Sequence, residues 1–344
     1  MARSLRLGVV AALLPVLALT ACGDSEPDFG EAAKEGLVVY SGRNEKLVGP
    51  LLEDFEEASG TKVTVRYGDS AELAATLLEE GDKTPASVFL SQDAGALGAL
   101  EEAGRLAPVD AALLAKVDRR YRSSQGLWVG VSGRSRVLAF NTEQVRHAEL
   151  PGSVLDLTKP EYKGKVGYVP TNASFQAFVT ALRVSLGEEK AKEFLVAFKA
   201  NEPKAYDSNT RLAEAVDKGD VPLGLLNHYY LYERADELGG YDKLTAHNHF
   251  FKAGDPGALV NVAGVGVLKG KADARTQQLL EFLLGTQAQT YFGEKTHEYP
   301  LVKGVAPVGT DLPPLAALQG PDLDLADLRS LEETLALLDE VGLT

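Results

Sequence analysis

Disulfides are excluded at the outset: Cys22 is the only cysteine in 344 residues, and a lone thiol in an exported chain is either reactive or modified. Nucleotide and hydrolase signatures are missing too. There is no P-loop and no dinucleotide glycine fingerprint. The serine of Gly130-Val131-Ser132-Gly133-Arg134 lacks the G-x-S-x-G frame of a nucleophile elbow. The five histidines show neither H-E-x-x-H nor paired-ligand spacing, and His247 and His249, at i,i+2, suit a strand edge or loop as well as a metal. Positive charge is in deficit, with 35 Lys and Arg against 49 Asp and Glu. That balance opposes binding to nucleic acid and to anionic lipid surfaces, but not capture of a cation. A secreted hydrolase is left without a nucleophile–base pair, so the chain reads as a binder and not as an enzyme.

Long apolar runs are also scarce. The single one, Leu7 to Leu19, follows Arg3 and Arg6 and ends in Leu19-Thr20-Ala21-Cys22. It is too short for a membrane span, which needs about 20 apolar residues. A basic start, a short apolar stretch and small residues before a cut describe a secretory signal over 1–21. The last four residues match a lipobox, so acylation is expected at Cys22, with each buried CH₂ adding about 0.8 kcal/mol of membrane affinity. Loss of the signal removes two arginines and takes the net charge from −14 to −16. Residues 22–35 are polar and acidic, as suits a flexible tether. The expected location is extracytoplasmic, at the cell surface or in the periplasm, with membrane contact through the anchor alone.

Beyond the tether, roughly 310 residues exceed a usual single core, so two lobes are expected. Leu37–Tyr40, Lys62–Tyr67 and Ala86–Leu90 read as strands alternating with helices over Leu47–Phe55, Ala71–Glu80 and Ala94–Ala103. Such βα repetition builds an open parallel sheet covered by helices. A second series runs through Val137–Phe140, Val166–Val169, the helix around Glu188–Lys199, Val221–Leu226 and Ala263–Leu268. A last amphipathic helix spans Leu325–Leu338. The lobes are drawn as 36–133 with 260–310, and 134–259 with 311–344. Ligands of open α/β sheets sit beyond the carboxyl ends of strands, which is where Asn44, Gln92, Asn172–Ser174 and Tyr229–Tyr230 fall.

Tyr229 and Tyr230 cannot both face one cleft from within a strand, where neighbours point to opposite faces. At a strand end passing into a helix, both can. Taken alone, the pair is explained better as two amphipathic aromatics covering the core than as a site. As a site, they suit a hard trivalent cation, which prefers oxygen ligands and lowers the proton affinity of whatever it binds.

The segments Tyr206-Asp207-Ser208-Asn209-Thr210 and Gly224-Leu225-Leu226-Asn227-His228-Tyr229-Tyr230 carry a resemblance. So do Tyr40-Ser41-Gly42-Arg43, Ser132–Val137, Gly167–Thr171, Asp255–Val260 and Glu298–Leu301. In this order, across essentially the whole mature chain, they resemble the ferric-ion-binding periplasmic proteins, the bacterial transferrins. The resemblance implies a two-lobed type II periplasmic-binding-protein fold closing over Fe³⁺, with Tyr229 and Tyr230 as ligands. It implies a synergistic anion, such as phosphate, carbonate or citrate, held by Asn172, Ala173, Ser174, Asn209 and Asn227. It also implies delivery to an ABC-transporter permease by a monomer. The chain departs from the family where a histidine ligand becomes Asn44, a glutamate ligand becomes Gln92, and a basic residue near the anion becomes Thr296. Where other members place a further tyrosine, Phe175 and Phe178 stand. The first lobe therefore offers amides at Asn44 and Gln92, with Glu45, Asp69 and Asp93 nearby. The competing expectation is a two-lobed protein for an anion, a phosphonate or a ferric chelate.

Overall fold

The computed structural model describes residues 27–309 and 312–344; the signal segment and Cys22 lie outside them. Among the described residues no helix is long and apolar enough to cross a membrane. The first half runs α1 (Phe29–Glu35), β1 (Leu37–Ser41), α2 (Glu45–Ser59), β2 (Val63–Tyr67), α3 (Ser70–Glu80), β3 (Val88–Ser91), α4 (Ala94–Glu102) and α5 (Ala111–Ala115), then the long β4 (Val129–Asn141). After it come β5 (Val166–Tyr168), α6 (Ala173–Leu186), α7 (Glu188–Ala200), β6 (Lys204–Ala205), α8 (Asn209–Lys218), β7 (Leu223–Asn227), α9 (Tyr229–Leu238) and β8 (Ala246–His249). The chain closes with β9 (Val260–Val267), α10 (Ala274–Leu283), α11 (Thr286–Lys295), β10 (Tyr299–Pro300) and α12 (Leu331–Val341).

All five residues of β1 are buried, which is why it reads as a continuous apolar run: parallel neighbours β2 and β3 flank it, and helices cover both faces. α2 begins where the Asn44 side chain accepts from the Lys46 amide and stops at Gly60, at φ 68°. Between those caps it turns Val48, Leu51, Leu52 and Phe55 inward. Within the segment expected to be tether, Phe29–Glu35 form α1. Asp28 accepts from the amides of Gly30 and Glu31 to start α1, and the Phe29 ring meets Tyr40 edge-on at 6.1 Å. A large apolar ring so close to the core costs less packed than left in water.

β4 joins the lobes. Its 13 residues are all buried. Val129–Ser135 pair with β9, while Arg136–Phe140 pair with β7 and Leu138–Asn141 with β8. Val129 and Val131 belong to the core shared with β1 and β3. Beyond Arg136 the side chains alternate: Leu138 and Phe140 enter the core packed by α6 and α7, and Val137 and Ala139 the core packed by α8 and α9. The boundary expected between residues 133 and 134 thus falls inside one continuous strand.

The C-terminal expectation needs correction. The run read as one helix over Leu325–Leu338 is broken at Ser330 into a 3-10 turn, Leu325–Arg329, and α12. Leu318, Leu325, Ala326 and Leu328 join the first-lobe core, whereas Leu337, Leu338 and Val341 join the second. Residues 312–329 therefore belong with the first lobe and only α12 with the second. The docking depends on bare backbone, since a Cβ at Gly98 of α4 would lie 2.2 Å from the Ala326 carbonyl oxygen. Gly98→Ala should therefore destabilise the protein by about 1–3 kcal/mol despite alanine's better helix propensity. Urea unfolding that shows equal or greater stability would refute this packing.

Candidate functional site

β7 ends at Asn227 and α9 starts at Tyr229, so the tyrosine pair stands at the strand-to-helix passage that lets both side chains share one side. Their rings lie 4.3 Å apart between centroids at 35°. Burial, above all, pushes the Tyr229 phenol well above its ordinary pKa; the Tyr230 ring beside it adds to the shift, and the Arg134 charge opposes it. Without a cation, Tyr229 is a neutral phenol.

The residue before the pair is fixed by both lobes. His228 is fully buried; its Nδ1 accepts from the Ser135 amide at 3.2 Å, and its Nε2 donates to the His297 carbonyl at 2.8 Å. That pattern requires the neutral ring protonated at Nε2. Burial lowers its pKa to about 4. Because the folded value lies below the unfolded one, the unfolded chain binds the extra proton, and stability is lost as pH falls from about 6.5 toward 4. In the metal-free protein this one residue should remove roughly 3 kcal/mol over that interval. His228→Gln should flatten the acid limb of a stability-versus-pH curve measured by denaturant; an unchanged limb would show the ring is not the cause.

Two arginines lie beneath the tyrosines. Arg134 and Arg136 are i,i+2 on β4 and so point to the same face; they are 4% and 2% exposed. Arg136 donates from Nη1 to Ser174 Oγ at 3.1 Å and from Nη2 to the Leu225 carbonyl at 3.0 Å, and its guanidinium lies 5.8 and 5.6 Å from the Phe175 and Phe178 rings. Burial lowers its pKa to about 9, with both tyrosines favouring its charge. Phe175 and Phe178 thus pack this cation. The Nε atoms of both arginines are buried without an acceptor. Among the described residues neither arginine has a carboxylate within ion-pair distance, though the Arg134 charge favours the ionised forms of Asp93 and Glu298.

The arginines line a cleft of about 60 Å³ together with Gly42, Asp69, Ser70, Gln92 and Asp93 from the first lobe and Ala173, Ser174 and Asn227 from the second. The tyrosines do not line it themselves but act on the arginines that do. Of the anion residues named from sequence, Ala173, Ser174 and Asn227 reach the cleft. Asn172 and Asn209 stand behind it: Asn172 Oδ1 accepts from the Ser174 amide at 2.9 Å and its hydroxyl at 2.6 Å, and Asn209 Nδ2 donates to Ser174 Oγ at 3.4 Å. They orient Ser174 at the start of α6, where the amides of Ser174, Phe175 and Gln176 are already bonded to Asn172 and the helix dipole is what favours an anion.

The first-lobe candidates divide. Gln92 lines the cleft, its backbone N–H donating to Ser70 Oγ at 2.9 Å. The same hydroxyl would lie 1.9 Å from a Cβ at Gly42, so glycine there lets β1 approach α3. Asn44 is exposed and occupied as the cap of α2. Asp69 and Asp93 line the cleft while capping α3 and α4, and Glu45 is exposed. Thr296 is buried, its hydroxyl donating to the Phe292 carbonyl at 2.7 Å. His247 and His249 lie on β8, where His249 Nε2 is bonded to the Pro151 carbonyl at 3.0 Å. Among the described residues no group of three or more His, Cys, Asp or Glu is placed to hold a metal.

A buried ion pair that the sequence reading did not single out completes the surroundings. Glu298 Oε1 lies 2.8 Å from Arg43 Nη2, and Ser132 Oγ donates to Oε2. The Arg43 contact is electrostatic, since its Nη2 has no acceptor in line with an N–H. Burial alone would raise the Glu298 pKa; Arg43, Arg134 and Ser132 more than offset it. Glu233 on α9 is pushed up to about 7 by burial first and then by Glu298, Glu237 and Asp236, with Arg43 opposing.

A family model described as bacterial extracellular solute-binding protein matches residues 83–327. The chain is 37% identical over 314 residues to the Fe(3+)-binding periplasmic protein of Serratia marcescens, covering 91% of this chain and 92% of that one. Iron-bound HitA from Pseudomonas aeruginosa superposes with a TM-score of 0.80 at 34% identity, over 89% of this chain and 99% of HitA. A Trichodesmium protein (IdiA, FutA) in complex with iron and citrate gives 0.76 at 28% identity, over 90% of this chain and all (100%) of that one. The two-lobed type II architecture is common to them, and this chain belongs to the bacterial extracellular solute-binding proteins, in their ferric-ion-binding periplasmic branch.

Proposed function

We propose that the protein captures ferric iron outside the cytoplasm and delivers it to an ABC-type permease, with no catalysis of its own. The observation that carries this reading is the tyrosine pair at the start of α9, set beside the buried cations Arg134 and Arg136. A phenol whose proton is held tightly by burial yields it only to a strong Lewis acid. Fe³⁺ supplies that, and relatives named for ferric iron share the fold. Two phenolates cancel two of the three charges. The side of the cleft formed by Arg134, Arg136, Ala173, Ser174 and Asn227, opposite Asp69 and Asp93, then takes an anion such as phosphate, carbonate or citrate beside the metal.

Titration of the purified protein with Fe³⁺ is expected to produce a visible phenolate-to-iron charge-transfer band. Its formation should strengthen when phosphate, carbonate or citrate is added. A colourless protein, or affinity indifferent to each anion in stripped buffer, would end the reading. In the colourless case the rival reading, an anion or ferric-chelate binder, takes its place. The same reading places a diacyl anchor at Cys22, and intact-mass analysis of membrane-extracted protein showing an unmodified cysteine would refute that part alone.

A further inference from the structure

α9 carries a third oxygen donor on the side of the tyrosines. Glu233 follows Tyr229 by four residues and Tyr230 by three, spacings that put side chains on one helix face with Cβ atoms about 5–6 Å apart. Helical side chains lean toward the N-terminus, so a carboxylate at this position reaches back over the turn bearing the two phenols. The other charges of the helix are committed elsewhere: Arg234 pairs with Asp217 and Glu237, and Asp236 with His297. Glu233 is half-buried, and no hydrogen bond or ion pair within the described residues holds it. Arg43, whose charge favours an ionised Glu233, is already paired with Glu298, while Glu298, Glu237 and Asp236 oppose that ionisation. Such an arrangement is unfavourable until a cation enters it.

We propose that Glu233 is the third anionic oxygen ligand of the ferric ion, supplying from α9 the carboxylate that Gln92 does not supply from the first lobe. The proposal rests on the ferric reading above. Two phenolates and one carboxylate cancel the three charges of Fe³⁺, and all three donors sit within one turn of one helix. The ion can therefore load on the second lobe alone, leaving the remaining coordination positions to the anion and to the closing first lobe. Selectivity follows from the same set, because three hard anionic oxygens favour a trivalent ion over divalent competitors.

Glu233→Gln keeps the shape and removes the charge; Glu233→Asp keeps the charge and withdraws it by one methylene. Fe³⁺ would be supplied as a weak chelate in phosphate-free buffer, and both affinity and the visible band recorded. Glu233→Gln is expected to bind on the order of 100-fold more weakly. Its band should move to longer wavelength, because iron that has lost an anionic donor is a better electron acceptor. Added phosphate should restore part of the affinity, and Glu233→Asp should fall between the two. Wild-type affinity and an unmoved band in Glu233→Gln, while the Tyr→Phe variants lose both, would overturn the proposal and leave the ferric reading standing. Weaker binding with an unmoved band would also overturn it, since a charge acting at a distance leaves the donor set intact. Absence of the band in the wild type as well would sink both.

Discussion

The double variant Tyr229→Phe, Tyr230→Phe is expected to lose its iron-dependent colour and bind Fe³⁺ about 10,000-fold more weakly, at roughly 100-fold for each charged oxygen removed. The fold should survive. Phenylalanine preserves the ring contact at 4.3 Å, and the two hydroxyls serve each other rather than the surrounding structure. The metal-free variant should therefore unfold within about 1 kcal/mol of the wild type. Isothermal titration with a competing chelator, run beside a thermal melt, separates the two effects. A double variant that kept both colour and affinity would move the metal away from α9 altogether.

Arg136→Met is the other substitution with a large expected effect, of a different kind. In the metal-free protein Arg136 is a buried charge without an anionic partner, held by the Leu225 carbonyl, Ser174 Oγ and two aromatic rings. Such a charge is costly, and methionine of similar length recovers apolar packing while giving up the two hydrogen bonds. These contributions oppose one another, so metal-free stability should stay within about 2 kcal/mol of wild type. On the ferric reading, in which iron makes phenolates of the tyrosines and brings an anion, the same charge is well placed. Anion-supported affinity should then fall by about 100-fold in the variant, and the response to added phosphate should shrink. An unchanged phosphate response would show that the anion is held by α6 and Asn227 without the arginine.

Much of this was legible before the fold was seen, and the parts that were not have definite reasons. The alternation of strands and helices through β3 was plain because buried parallel strands are apolar throughout and their helices end at glycine, as α2 does at Gly60. The tyrosine pair was legible because adjacent side chains share a side only at a strand-to-helix passage. At Asn44 the sequence leaves two roles open, since the position after a strand that places a ligand also places a helix cap, and the metal-free structure shows the cap. Arg134 and Arg136 had a signal that passed unused: two cations two residues apart in a strand point the same way. Glu233 was hidden, because a carboxylate on the exposed half of a helical pattern looks like any other until the opposite lobe is seen to face it. The break at Ser330 left no mark in the apolar periodicity. That pattern records which side of a segment is buried, not which body buries it.

The break at Ser330 governs how the cleft can open. The last contacts on α4 end at Arg329, and α12 begins at Leu331. Ser330 itself is clamped to α6, where Arg183 Nη1 donates to its carbonyl at 2.7 Å and to its hydroxyl at 3.3 Å. With consecutive Cα atoms about 3.8 Å apart, the lobes cannot part at this edge without tearing the chain from one of them. β4 imposes the same restriction where its pairing passes from β9 to β7, at Ser135 and Arg136. Two points that cannot separate define a line, and turning about that line is the one rigid motion left to the lobes. The mouth that admits iron is then whichever margin lies farthest from the line, and its width grows with the swing while the chain on the axis hardly moves.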